Sequence, residues 1–152
     1  MNFPLITLVL ADPHPVMLDG LHAHLQTCSD LQVKACVQDG DAAWQAVERF
    51  RPEFLVLELD LPHRKGLDLI QGLRDEGWKT RPIVFTSAPA QEVMHAIDLG
   101  VQGVVSKLRP HDVLVQCIRQ VSRGQVCLDQ DLVLKQLPML MHRERGREQV
   151  SR

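Results

Sequence analysis

The chain of 152 residues reads as an α/β protein, a five-stranded parallel sheet with helices on both faces. Three observations predict this. Short apolar runs alternate with helical stripes throughout the sequence. The runs Leu5–Ala11 and Phe54–Leu57 are continuous rather than alternating, as strands buried on both faces require. Polar residues follow the apolar runs closely, at the strand ends where open α/β sheets place their chemistry.

The elements follow in order. Leu5–Ala11 is the first strand, and Pro15 suits the first turn of a helix whose inner face is Leu18, Leu21 and Leu25. Leu31, Val33, Ala35 and Val37 alternate at period two, the pattern of a more exposed strand. Asp39-Gly40-Asp41 supplies a turn and an N-cap for a helix carrying Ala43, Ala46, Val47 and Phe50. Phe54–Leu57 is the central strand. After Gly66 a helix turns Leu67, Ile70 and Leu73 inward and stops near Gly77. Ile83-Val84-Phe85 is a buried strand ending at Thr86-Ser87, and the helix with Val93, Ala96 and Ile97 ends at Gly100, a natural C′ residue. Val104-Val105 is the last strand, ending at Ser106-Lys107. Pro110 opens a final helix with Val113, Cys117, Ile118 and Val121, closed by Gly124. Five βα units of this kind build a doubly wound parallel sheet. Beyond Asp129 the pattern weakens; Asp131 to Leu137 reads as one more short helix, interrupted by Pro138.

Composition narrows the function class. No apolar run approaches the roughly 20 residues needed to cross a bilayer, and Met1-Asn2-Phe3-Pro4 lacks the features of a signal peptide, so the expected location is the cytoplasm, with no membrane partner. The four cysteines, Cys28, Cys36, Cys117 and Cys127, form no C-x-x-C pair and no zinc spacing. Cys36 and Cys117 fall on apolar positions and read as buried free thiols. The seven histidines offer no pairing with metal-ligand geometry; His22 and His24 do not share a helix face. Net charge is −2, but residues 135–152 carry five cations against two acids. An acidic body with a basic tail places any nucleic-acid contact at or beyond the tail.

Asp12, Glu58, Thr86 and Lys107 fall at the ends of four predicted strands, which all point one way in a parallel sheet. The order acid, acid, hydroxyl, lysine, with Pro62 and Gly66 standing four and eight residues after Glu58, resembles the receiver domains of bacterial response regulators over about residues 5–128. Asp12-Pro13-His14-Pro15 is similar to the D-D-H-P run of NarL/FixJ-type receivers. The resemblance implies a flavodoxin-like (βα)5 fold. It also implies a function in phosphorelay signalling: an Asp nucleophile takes a phosphoryl group, acidic side chains hold Mg2+ beside it, and a lysine and a hydroxyl bind the product.

Three positions depart from that pattern. Glu58 stands at the phosphoacceptor position. Pro13 replaces the second acid, the more direct metal ligand. Val104, three residues before Lys107, replaces the family's aromatic switch residue in a chain with no tyrosine. The implied function is therefore a degenerate, phosphorylation-independent receiver, not an enzyme, in which Glu58 mimics the phosphorylated state opposite Lys107. Neither a cofactor nor Mg2+ is expected; Asp12, Glu58 and Asp60 are the donors if a metal binds. Asp60 also reads as part of the acidic pocket, since strand alternation returns it to the face of Glu58. The alternative is a conventional Mg-dependent phosphoacceptor, with a histidine kinase as partner. A third reading is a phosphatase-like enzyme, with Glu58-Leu59-Asp60 as a loose echo of a strand-end D-x-D.

The expected organisation is a receiver domain over 1–128 and a linker or tail over 129–152. Within the tail, Leu137 to Arg145 resembles the entry to a LuxR-type helix-turn-helix domain, without room for a recognition helix before Arg152. The expected partners are a second copy, with the helix after Pro110 as the dimer face, or another regulator. DNA is reached only through an output domain that is not complete here.

Overall fold

A computed structural model of the chain describes residues 4–132. The elements run β1 (Ile6–Ala11), α1 (Pro15–Gln26), β2 (Leu31–Val37), α2 (Gly40–Phe50), β3 (Phe54–Leu57), α3 (Gly66–Glu76), β4 (Arg81–Thr86), α4 (Ala90–Asp98), β5 (Gly103–Ser106), α5 (His111–Ser122) and β6 (Cys127–Leu128). All pairings are parallel, in the order β2-β1-β3-β4-β5-β6. The expectation of five strands is corrected to six. Cys127 and Leu128 pair with Gly103 and Val104 at the β5 edge; a two-residue strand leaves no periodicity to read. The stretches Leu137 to Arg145, Pro138 and the basic tail lie outside the described residues.

The alternation of strand side chains divides the core. Leu8 and Leu10 of β1 and Phe54 and Val56 of β3 pack on α1 and α5, against Leu18, Leu21, Leu25, Leu114 and Ile118. Val9, Ala11, Leu55 and Leu57 point to the other face, against Ala43 and Val47 of α2, Leu69 and Ile70 of α3, and Val93 of α4. Strands buried on both faces have no polar side to alternate with, hence their continuous apolar runs.

Local signals set the helix ends. Asp39 caps α2 by accepting from the amide of Ala42 at 2.8 Å. Gly77 ends α3 at φ 67°, where a side chain would be strained. Several finer expectations shift. The α3 stripe is Leu69, Ile70 and Leu73 rather than Leu67, which is only half-buried. Phe50 and Val113 are exposed, while Leu114 and Val115 carry the inner face of α5. Cys36 is exposed, contrary to its reading as a buried thiol: on edge strand β2 it shares the outward phase with Gln32 and Lys34.

Among the described residues no helix is long and apolar enough to cross a membrane.

Candidate functional site

The site forms at the β1/β3 boundary, where the strand order reverses and side chains from separate βα units meet. Register aligns the strand ends. Ala11 pairs with Leu57 and Thr86 with Ser106. Beyond the ladders the amide of Glu58 donates to the Ala11 carbonyl at 3.0 Å, and that of Lys107 to the Thr86 carbonyl at 3.0 Å. Residues far apart in sequence are thereby fixed by backbone bonds before any side chain is considered.

Asp12, Glu58, Thr86 and Lys107 do converge. Lys107 Nζ lies 2.5 Å from Asp12 Oδ2 and 2.9 Å from Glu58 Oε1. Glu58 Oε2 accepts from the Thr86 hydroxyl and, at 2.7 Å, from the amide of Leu59. The amide of Ser87 approaches Oε1 at 3.5 Å. One carboxylate thus gathers a cation, a hydroxyl and backbone N–H groups. The side chains of Glu58, Asp12 and Lys107 are only 3%, 5% and 9% exposed. Burial pulls the Lys107 pKa down, but its hydrogen bonds to Asp12 and then Glu58 outweigh this and leave it above the ordinary lysine value. The void bordered by Asp12, Glu58, Leu10, Leu18 and Phe85 is about 10 Å3, room for at most one water.

The loop after Glu58 explains the Pro62 and Gly66 punctuation. The Gly66 amide donates to the Leu59 carbonyl at 2.9 Å, and the Gly40 amide to that of Pro62 at 3.0 Å. A Cβ at Gly66 would stand 2.7 Å from Leu59 Cα and 2.9 Å from the Glu58 carbonyl oxygen, so only glycine lets α3 start against the acceptor segment.

Asp60 is not brought in. β3 ends at Leu57 and the chain bends at residues 59–60, so period-two alternation no longer applies. Its side chain is 77% exposed and pairs with Lys65 at 2.8 Å. Glu58 and Asp60 therefore do not form the pair that the phosphatase-like spacing implied. Pro13 carries no donor atom, and Asp12 also binds the amide and ring of His14, at 2.8 and 3.1 Å. Val104 is buried in the core. Asp60 is thus turned away, Pro13 offers no side-chain ligand, and Asp12 and Glu58 are both engaged by the Lys107 ammonium. Among the described residues no group of three or more His, Cys, Asp or Glu side chains could hold a metal ion.

A sequence model of the response regulator receiver domain matches residues 8–119. The chain belongs to the response-regulator receiver-domain family. It is 27% identical over 128 residues to a nitrate/nitrite response regulator protein homolog of Haemophilus influenzae, covering 84% of this chain and 62% of that protein. The chain thus spans about three fifths of that relative's length. The fold matches a LuxR-family two-component response regulator from Aurantimonas sp. SI85-9A1, with TM-score 0.82 and 22% identity over 90% of this chain and 99% of that one. It also matches the isolated receiver domain of RcsB from Salmonella enterica serovar Typhimurium in the presence of the phosphomimetic BeF3−, with TM-score 0.78 and 20% identity over 85% and 96%. This is a receiver domain on a doubly wound sheet, similar in fold to LuxR-family response regulators.

Two groupings escaped the sequence. Asp129 is buried, its side chain 2% exposed, and bonds Arg109 Nε at 3.1 Å. Arg109 also pairs with Asp131. Only the spacing Asp129-Gln130-Asp131 could have signalled this, and nothing in it points to Arg109. Trp44 and Trp78 stack at 4.8 Å between ring centroids. Arg64 lies 4.2 Å over Trp44 and Arg51 3.8 Å over Trp78, a four-layer stack that joins α2 to the segment after α3.

Proposed function

We propose that this receiver works without phosphorylation, and that the Glu58 carboxylate stands where the phosphoryl group of a working receiver would be. The observation that carries this reading is the simultaneous engagement of Glu58 by Lys107 and Thr86. A carboxylate one methylene longer than Asp reaches the lysine and the hydroxyl that otherwise wait for phosphate. The pocket is thus held in one state by its own residues. Mg2+ is not required, because Lys107 supplies the positive charge between Asp12 and Glu58. Signalling passes through a standing protein surface, by dimerisation or by docking to another regulator, with no obligatory histidine kinase. Any contact with DNA belongs to an output domain.

The test is incubation of the protein with Mg2+ and acetyl phosphate, read by intact mass, alongside thermal unfolding with and without beryllofluoride. No stoichiometric phosphoryl addition and an unchanged midpoint are expected. A stoichiometric phosphoprotein, or Mg-dependent stabilisation by beryllofluoride, supports the conventional Mg-dependent phosphoacceptor instead.

A further inference from the structure

Two of the four cysteines meet away from the pocket. Cys117 lies on α5 and Cys127 on β6, and both pack in the apolar layer between the sheet and helices α1 and α5. Register brings them there. Cys127 pairs with Gly103 in the parallel ladder, so its side chain points to the face on which Gly103 has none. A Cβ at Gly103 would stand 3.1 Å from Cys117 Sγ. The glycine thus leaves a notch in β5 that the Cys117 sulfur fills, beside the strand that carries Cys127. There the Cys117 thiol donates to the Cys127 carbonyl at 3.6 Å.

The two thiols differ in exposure. Cys117 is fully buried, while Cys127 is half-buried at the sheet edge. Burial pushes the Cys117 pKa up, and the Cys127 side chain bonded to it pushes the same way. Cys117 is therefore a thiol, not a thiolate, at neutral pH, and reacts only with a partner already in contact. Cys127 is the sulfur that a dissolved oxidant reaches first. Two small apolar side chains would fill this layer equally well; a buried sulfur touching a reachable one adds a chemistry that they lack. Cys36 sits on β2, at the opposite edge of the sheet.

We propose that Cys117 and Cys127 form a reversible disulfide when the protein meets hydrogen peroxide, fastening edge strand β6 to α5. The thiolate of Cys127 attacks one peroxide oxygen. The O–O bond breaks, hydroxide leaves to take up the proton that Cys127 released, and Cys127 becomes a sulfenic acid. Cys117 Sγ then attacks the Cys127 sulfur. The S–S bond forms, the S–O bond breaks, and the departing hydroxide takes the Cys117 proton as a second water. Two thiols are oxidised and one peroxide is reduced, with no metal or other electron carrier. Small thiols reverse the bridge by exchange, as they do in a reducing compartment. β6 has two residues and two ladder pairs to hold it, so a covalent tie to α5 changes how firmly that edge is closed. The bridge does not depend on whether Glu58 or a phosphoryl group occupies the pocket.

The experiment treats the full chain with hydrogen peroxide, unfolds it, labels the remaining thiols with N-ethylmaleimide, and reads intact mass and disulfide-linked peptides. The four cysteines are expected to take four labels before oxidation and two after it, within a single chain. The linked peptides carry Cys117 and Cys127, and dithiothreitol restores all four labels. In Cys117→Ala the bridge is lost and Cys127 is trapped as a sulfenic acid by dimedone. In Cys127→Ala the buried Cys117 keeps its thiol. The peptide map of the unaltered chain needs no variant, so a variant that fails to fold does not remove the test. The proposal is overturned if Cys117 stays fully labelled after oxidation of the folded chain, or if the bridge involves Cys28 or Cys36 or joins two chains. It is equally overturned if the bridge forms no faster in the folded chain than in urea.

Discussion

Replacing Lys107 by methionine tests the pocket most directly, because methionine keeps the side chain's bulk and removes only its charge. Asp12 Oδ2 and Glu58 Oε1 both bond the same ammonium, at 2.5 and 2.9 Å. Without it, two buried carboxylates face each other across roughly 5 Å, a repulsion of about 3 kcal/mol at an effective dielectric of about 20. A loss of about 3–4 kcal/mol is therefore expected at pH 7, within the range for breaking a buried ion pair. Adding Glu58→Gln to Lys107→Met removes the repulsion and recovers part of the loss, and urea unfolding reads both. The raised Lys107 pKa gives stability that is fully present below the ordinary lysine value and disappears as pH climbs through the higher folded value. A loss below about 1 kcal/mol in Lys107→Met, or no recovery in the double variant, would falsify the picture of a tightly engaged pocket.

Two further outcomes follow from neighbouring geometry. Gly66→Ala forces a Cβ to 2.7 Å from Leu59 Cα, and is expected to cost about 1–3 kcal/mol by overpacking and to shift the Thr86 and Lys107 resonances; Gly77→Ala, which has open space but φ 67°, is expected to cost stability without touching the pocket. The His111 pKa is lowered by burial and then by the neighbouring His24, so the unfolded chain takes up a proton first; stability should fall as pH drops from about 7 toward 5, through the ordinary imidazole range, and His111→Gln should flatten that part of a urea-midpoint profile.

The sheet was legible because its signals are redundant. Phe54-Leu55-Val56-Leu57 has no polar alternative face, and Asp39, Pro15, Gly77 and Gly100 punctuate the helices in the ways their backbone chemistry requires. The pocket was legible for a topological reason: parallel strands put all their ends on one side, so four polar residues separated in sequence must approach one another. Asp60 misled because alternation is a property of strands, and the strand stops at Leu57. Asp129 was missed because its importance lies in a partner twenty positions away on another loop, and a buried ion pair leaves no period in the sequence. Edge strands failed similarly: Cys36 looked apolar in a run, but only one face of β2 is covered.

The three departures from the receiver pattern make sense together as a charge balance. The buried pocket holds two carboxylates and one ammonium. A working receiver carries a further acid at the position of Pro13 and relies on a divalent cation to offset its carboxylates and the incoming phosphoryl group. With Glu58 already engaging Lys107 and Thr86, another acid at half-buried position 13 would add negative charge beside two carboxylates that already share one ammonium. Proline removes it. On the proposed reading a metal is then superfluous, and an added phosphoryl group, bringing about −1.5 to −2 charges, would meet a lysine already shared by two carboxylates. Under the proposed function Glu58 and Pro13 act together: the longer acid engages the pocket's own lysine, and the side chain at position 13 adds no further negative charge beside it. Val104, buried and paired with Leu128 of β6, fits the same proposal, in which a pocket held in one state needs no rotating aromatic to report it.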